Sequence, residues 1–369
     1  MIIGTVKEIK THEYRVGLTP ASVLQYVKAG HRVLVEKDAG LESGFSNEAY
    51  SISGALIIDH AKDVWKDADM IVKVKEPLKE EYPLFKKGLL LYTFLHLAAD
   101  EALTKSLLEY EVTSIAYETI EEADGLLTCL EPMSAVAGRL SAIQGAKYLE
   151  KPQGGKGMLI SGVPGTNQAQ AVVIGCGTVG MNAIQMLMGL GAKVTAIDVD
   201  IRKLEKIDQL YRNQVQTLYS NELHIKEALE QADIVIGAVL VKGAKAPKLI
   251  RRSYYANMKK GTVIVDVAID QGGSTEVSKV TYHNDPIYVV DDIIHYCVAN
   301  MPGAVPQTST DALNHATLKY GLKIANEGII DASNYMPIYK GINTHQGRIT
   351  YQAVAEAFDL PYQPFHTLK

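Results

Sequence analysis

At 369 residues the chain is long enough for two domains of ordinary size, each with its own core. Its 47% hydrophobic and 21% charged content is that of a soluble globular protein, and a formal charge of −5 makes no case for nucleic acid or an anionic membrane as partner. Three cysteines far apart, Cys129, Cys176 and Cys297, show no metal-ligand spacing, so a reduced, cytoplasmic, metal-free protein is expected. The N-terminus reads as a strand followed by charge rather than a signal peptide. The longest apolar stretch, near 88–99, holds His96 and is too short to span a bilayer.

In chain order, the first third alternates β-rich and helical runs. Strands are expected at 2–6, 32–36, 55–58, 70–75, 89–94 and 112–117, with helices such as 20–29 and 100–110 between them. That alternation predicts a parallel sheet covered by helices. A long helix over 132–150 leads into a Gly/Pro-rich turn at 151–157. The pattern then restarts with strand 171–174, helix 178–190 and strand 193–198, followed by strands 215–219, 234–239, 263–269 and 287–290. The fold class expected is α/β, with two doubly wound Rossmann-like domains and a cleft between them. A helical run over about 311–327 precedes a tail too short for a domain, which should return to the first one. The boundaries so drawn are 1–130 plus 307–369 for a discontinuous substrate domain, and 131–306 for a nucleotide-binding domain.

The sharpest motif is a dinucleotide fingerprint. The apolar run Ala171-Val172-Val173-Ile174 feeds into Gly175-Cys176-Gly177-Thr178-Val179-Gly180 and then a helix. Gly175 permits the tight turn, Gly177 lets backbone approach a pyrophosphate, and Gly180 permits close helix–strand packing. Free N–H groups and the helix dipole favour the phosphate charge. Asp198 ends the next strand, where a carboxylate accepts hydrogen bonds from the adenosine ribose. A bare GxGxxG could be only a glycine turn; strand, helix and acid in sequence favour NAD. Arg202 and Lys203 could hold a 2′-phosphate, but Asp198 would repel it, so NAD is expected over NADP. Cys176 is read as a small side chain near the phosphates.

A dehydrogenase also needs a cation for substrate carboxylate and a general acid or base beside the reacting carbon. Strand ends in the first half supply candidates. Arg15 follows the first strand, and its planar fork suits a carboxylate, although a solvated surface arginine is the alternative. Lys73 and Lys75 fall on one face of the strand expected at 70–75. Such lysines are more often snorkelling or solvated than catalytic, and Lys75, nearer the end, is the better candidate. His96 lies past the strand over 89–94, in a position parallel to those of Arg15 and Lys75. In the second half Asp270 precedes two glycines and should project outward, with Asp266 inside the strand. Asp270 could equally cap a turn.

Taken together, the sequence resembles the alanine dehydrogenases, the family shared with the NAD-binding subunit of proton-pumping transhydrogenase. The resemblance runs from Met1 to about Ala325. It is carried by Lys7-Glu8-Ile9-Lys10 with Glu13-Tyr14-Arg15-Val16, Val74-Lys75-Glu76-Pro77, His96-Leu97-Ala98-Ala99, Pro132-Met133-Ser134 and Gly162-Val163-Pro164-Gly165. Further matches are Ala137-Gly138-Arg139, Gly237-Ala238-Val239-Leu240, 266–273 and Tyr296-Cys297-Val298-Ala299-Asn300-Met301-Pro302. It implies Arg15 as the carboxylate-gripping arginine, Lys75 as the substrate-contacting lysine, His96 as acid/base and Asp270 as the acid near the nicotinamide. It implies cofactor contacts at Ser134, Asp198, Lys203, Ser220, Val239, Leu240, Val267, Asn300 and Met301, beside the loop residues Gly175 to Gly180. The implied reaction is reversible oxidative deamination of L-alanine to pyruvate and ammonium with NAD, in a homohexamer of two-domain subunits. Glu131, before Pro132, departs from the more apolar stretch expected there and could alter the helix start. Two other readings share the fingerprint: a non-catalytic NAD-binding module that docks on a membrane partner, and a dehydrogenase for another amino or hydroxy acid.

Overall fold

Short runs of Ile, Val and Leu bounded by turn residues become strands in the computed structural model, which describes residues 1–239 and 246–368. The chain divides into two units, Met1–Met133 with Gly303–Lys369, and Ser134–Pro302. The first unit begins β1 (Ile2–Thr5), α1 (Pro20–Lys28), β2 (Arg32–Glu36), α2 (Asn47–Ile52), β3 (Leu56–Ile58) and α3 (Ala61–Asp67). It continues with β4 (Met70–Val72), β5 (Leu90–Thr93), α4 (Glu101–Glu109) and β6 (Thr113–Ala116). Helix starts carry their signals. Thr19 caps α1 by accepting from the Ser22 N–H, with Pro20 at the first helical position.

Helix α5 (Glu131–Tyr148) leads to the second unit's β7 (Gln170–Ile174), α6 (Thr178–Gly189), β8 (Lys193–Asp198), α7 (Ile201–Tyr211), β9 (Val215–Tyr219) and α8 (Glu222–Gln231). Next come β10 (Ile234–Gly237), β11 (Val263–Asp266), β12 (Ile287–Val290) and β13 (Ile293–Tyr296). The chain then returns to the first unit through α9 (Pro306–Ala332), α10 (Met336–Gly341), β14 (Ile342–His345), β15 (Arg348–Ile349) and α11 (Gln352–Phe358). Gly328, at φ 77°, breaks the helical backbone inside α9.

The two sheets repeat one strand order. In the second unit it is β12-β13-β11-β10-β7-β8-β9, parallel except for β12. In the first it is β15-β14-β6-β5-β4-β1-β2-β3, parallel except where β14 runs against its neighbours β6 and β15. Each is a doubly wound sheet, and its order reverses between β7 and β10 or between β1 and β4. Ligands in open α/β sheets bind at the carboxyl ends of strands at such points. The first unit's core joins strand residues Ile3, Val33, Met70 and Leu90 to Leu313, Tyr320 and Ile324 of α9. Each fully buried aliphatic side chain contributes roughly 1.5–3 kcal/mol.

Two expected strands end three residues short of their apolar runs. The strand expected to reach residue 75 ends at Val72, because the Val74 and Lys75 N–H groups donate to the Glu8 carboxylate instead of a neighbouring strand. The strand expected to reach residue 269 ends at Asp266 and continues as a 3-10 turn, Val267–Gln271. Among the described residues no helix is long and apolar enough to cross a membrane.

Candidate functional site

The carboxyl edge of the first unit's sheet gathers its chemistry-bearing side chains strand by strand. Register places β1 beside β4, β4 beside β5 and β5 beside β6. Arg15 follows β1, Lys75 follows β4, His96 follows β5 and Glu118 follows β6. The loop after β1 passes so closely over the end of β4 that a side chain at Gly17 would overlap the Val72 carbonyl oxygen. The edge therefore brings Arg15 and the segment bearing Lys75 to the sheet's switch point.

Each of these positions is held by a carboxylate. Arg15, expected as either a ligand fork or a solvated arginine, is only 2% exposed. Its Nε donates to Glu13 Oε1 (2.7 Å), its Nη2 to Glu13 Oε2 (2.5 Å), and its Nη1 lies 2.9 Å from the Met133 sulfur. Such a bidentate clamp fixes the plane of the guanidinium. Lys75 is half-buried; its N–H donates to Glu8 Oε1 (3.2 Å) and its carbonyl accepts from Thr93 Oγ1 (3.0 Å). Burial favours the neutral form of Glu76, but the neighbouring Lys75 and Lys10 ammonium groups outweigh it and hold that carboxyl below its usual range.

His96 sits at φ 50°, in left-handed backbone rare for residues other than glycine, with its ring stacked parallel to Phe94. Glu118 supports that turn by accepting the N–H groups of Leu95 (3.2 Å) and His96 (2.6 Å), and its Oε1 lies 4.0 Å from His96 Nδ1. Strain held in place by surrounding groups is characteristic of functional sites. A guanidinium, an ammonium and an imidazole on segments that follow neighbouring strands are groups suited to an anionic carboxylate and to proton transfer.

Lys73 corrects its expectation. Read as snorkelling or solvated, it is 0% exposed, and its Nζ lies 3.0 Å from Glu8 Oε2 and 2.9 Å from Glu81 Oε1. Burial alone would lower its pKa, but the two carboxylates outweigh that and raise it, so the ammonium is retained. β4 has already ended at Val72, so the alternation of strand faces does not extend to Lys73 and Val74, and both are buried. Glu8, Glu13, Glu81 and Glu118 received no role from the sequence. Position marks three of them, Glu8 and Glu118 just past strands and Glu13 beside Arg15, whereas Glu81 lies nine residues beyond β4 with no such mark.

In the second unit, β7 opens directly into the glycine loop. Gly175 has φ 97° and donates to the Ile197 carbonyl, and an added Cβ would crowd the Ala238 carbonyl. Gly180 lies so close to Gly175 that a methyl group would overlap the Gly175 oxygen, whereas a Cβ on Gly177 would meet open space. The loop is thus closed against the fold at Gly180 and open at Gly177, the N-cap of α6, where Thr178 and Val179 begin the helix. An anionic group fits that cradle.

Asp198 is 6% exposed and accepts from the Cys176 N–H (2.6 Å) and Asp200 N–H (2.8 Å), with Lys203 Nζ 3.4 Å away. A carboxylate has about four acceptor sites, so three donors leave it able to accept from a ribose hydroxyl. Arg202 is paired with Asp200, so both cations weighed as phosphate ligands face carboxylates. The Cys176 thiol is buried against Ile197, and burial with Asp198 nearby pushes it up to about 12.

The remaining candidates scatter along the second unit. Ser134 lies in the first turn of α5, which starts at Glu131; an acid there suits the positive end of the helix dipole. Ser220 donates its N–H to the Asp198 carbonyl (2.9 Å). Val239 follows β10, and Leu240 lies outside the described residues. Val267 opens the 3-10 turn in which Asp270 is exposed. Asp266, expected inside the strand, ends it and is buried, accepting from the Ser274 N–H and the Ser278 hydroxyl. Asn300 adopts φ 61°, and Met301 after it is buried. Among the described residues no three His, Cys, Asp or Glu side chains gather as metal ligands.

Comparison with known proteins finds two family models along the chain. The alanine dehydrogenase/PNT N-terminal domain matches residues 4–137 and the C-terminal domain residues 141–352. The chain is 52% identical over 366 residues to the alanine dehydrogenase of Methanococcus maripaludis, covering 99% of this chain and 98% of that one. It is likewise 52% identical to the alanine dehydrogenase of Bacillus subtilis, covering 99% and 96%. Among solved structures, an L-alanine dehydrogenase superposes with a TM-score of 0.95 at 47% identity, over 97% of this chain and 99% of that one. A transhydrogenase from Sinorhizobium meliloti shares the fold, with a TM-score of 0.83 at 23% identity over 96% of this chain and 100% of that one.

Proposed function

The chain belongs to the alanine dehydrogenase/PNT family, and from that premise we propose that it is an NAD-dependent L-alanine dehydrogenase. The reaction is L-alanine, NAD and water giving pyruvate, ammonium, NADH and a proton, in either direction. What supports this reading is the carboxyl edge of the neighbouring strands β1, β4 and β5, each followed by a segment that carries one of Arg15, Lys75 and His96. A carboxylate grip and a proton carrier are the two things an amino-acid dehydrogenase needs beyond its cofactor.

The β7–α6 loop fits a dinucleotide, because Gly177 leaves room for phosphate and Asp198 keeps acceptor capacity for ribose. The reading takes NAD over NADP because the Asp198 charge repels a 2′-phosphate, and Lys203 and Arg202 are already engaged. The proposed contacts extend to Ser134, Thr178, Val179, Ser220, Val239, Leu240, Val267, Asn300 and Met301. NAD bound there would supply the acceptor for the hydride of the α-carbon.

The chain's own groups do the rest. Arg15, its guanidinium oriented by Glu13, and Lys75 grip the alanine carboxylate, and Lys75 Nζ also donates towards the carbonyl oxygen of pyruvate. His96 takes a proton from the water that adds to the iminium carbon, and Asp270 assists in the proton movements that release ammonium. His96 suits that task because one imidazole nitrogen can take up a proton while the other carries one. The reading includes a homohexamer in the cytoplasm, which sedimentation of the purified protein tests for assembly.

The decisive experiment is NADH formation with L-alanine against a panel of amino acids. Turnover with alanine and saturable NADH binding are expected. Saturable NADH binding without turnover would replace this reading with a non-catalytic binding module. Lys75→Ala is expected to lower turnover by at least about 100-fold while leaving NADH affinity nearly intact. Retained turnover in that variant would remove Lys75 from its role.

A further inference from the structure

We propose that Lys73, acting through Glu8 and Glu81, is a positioning residue that sets the backbone of Lys75; the inference rests on the role given to Lys75 above. Lys73 faces neither solvent nor any open space. Its Nζ is bonded to Glu8 Oε2 at 3.0 Å and Glu81 Oε1 at 2.9 Å. The second oxygen of each carboxylate is committed to backbone. Glu8 Oε1 accepts the N–H groups of Val74 (2.6 Å) and Lys75 (3.2 Å), and Glu81 Oε2 accepts that of Leu78 (2.9 Å). Every bond from the Lys73 ammonium therefore leads, through one carboxylate, to the segment that carries Lys75.

The other side of the segment is fastened as well. Tyr117 Oη donates to the Lys73 carbonyl at 3.1 Å, and Thr93 Oγ1 to the Lys75 carbonyl at 3.0 Å. Carbonyls on one side and N–H groups on the other are thus tied to different strand ends. The Lys75 peptide can move only if Glu8 moves, and Glu8 is held by Lys73.

Stability alone is a poor reason for such a cluster. Taking a lysine and two carboxylates out of water costs as much as, or more than, their mutual attraction returns, and apolar residues of similar volume often serve better. A fully buried cation at this place is accounted for by what it fixes. A displacement of about 1 Å at a reacting group costs on the order of 100-fold in rate, so a rigid seat for Lys75 has value that folding energy does not measure.

The test replaces the three charges together at nearly constant volume: Lys73→Met, Glu8→Gln and Glu81→Gln. The expected protein melts at or above the wild-type temperature and binds NADH with unchanged affinity, while kcat for L-alanine falls by roughly 100-fold. That split separates positioning from support, because a merely structural cluster would lower melting temperature and activity in parallel. Wild-type kcat in the folded triple variant overturns the proposal, and so does a parallel loss of melting temperature, NADH binding and kcat. If the triple variant does not fold, Glu8→Gln alone keeps an oxygen near the Lys75 N–H but removes the charge that Lys73 grips. A loss of kcat of about tenfold or more at unchanged NADH affinity is then expected, and unchanged kcat overturns the proposal. Wild-type protein inactive with L-alanine overturns the functional reading itself, whereas active wild type with unaffected variants overturns only the positioning role.

Discussion

Arg15, Lys75 and His96 differ in chemistry but share one construction, a basic side chain whose backbone or guanidinium is seated on a carboxylate from a nearby segment: Glu13, Glu8 and Glu118. The bases could be picked out from sequence because they follow apolar runs. The acids could not, because a glutamate in a loop reads as solvated until the loop is folded over a strand end. Burial acts on the thiols too. It pushes Cys129, Cys176 and Cys297 each up to about 12, so all three remain protonated at pH 8. A disulfide reagent is expected to leave the folded protein unlabelled and to label all three thiols once denaturant is added. Stoichiometric labelling of Cys176 in the native state would contradict this.

At the scale of elements, the loop from β7 to α6 separates two functions that one glycine motif conceals. Gly180 is required by packing, since a methyl group there would overlap the Gly175 carbonyl. Gly177 faces open space, so its requirement comes from what binds. Gly180→Ala is therefore expected to destabilise the protein by about 1–3 kcal/mol, seen as a lower midpoint in urea. Gly177→Ala is expected to keep the wild-type midpoint and yet weaken NADH binding, read by fluorescence titration. The opposite pattern, a fold-destabilising Gly177→Ala with intact binding, would refute the cradle. Strand centres were legible from apolar runs, but two ends were not. β4 and β11 stop short because their last apolar residues give their N–H groups to side chains or enter a 3-10 turn.

At the scale of the whole molecule, the returning chain completes the first unit. Strand β14 pairs with β6, and α9 contributes core residues from more than 300 positions beyond β1. Glu122 fastens this return from the surface, accepting from Lys319 (2.7 Å), Tyr320 (2.5 Å) and Tyr335 (2.8 Å). The Lys319 and Tyr320 hydrogen bonds hold its carboxyl down at about 2, against an ordinary 4.5. A depressed carboxyl contributes stability that is present above its unfolded pKa and lost as pH falls through the folded one. The wild type is therefore expected to lose melting temperature more steeply than Glu122→Gln between pH 4.5 and about 2. Parallel curves for the two proteins would show that Glu122 does not secure the return.

What the sequence determined by itself was local: apolar runs that become strands, a glycine loop opening a helix, and bases placed just past strand ends. These follow from the periodicity and turn chemistry of neighbouring residues, which a linear reading contains. The strands of the tail, β14 and β15, were not anticipated, because their polar and short runs become strands only by pairing with β6 and with each other. The same limit applied to Lys73. Its place in a strand-end run predicted a solvated side chain, and only the arrival of Glu8 and Glu81 from other segments made burial of its charge tolerable. Compensation between residues distant in sequence is what tertiary structure decided.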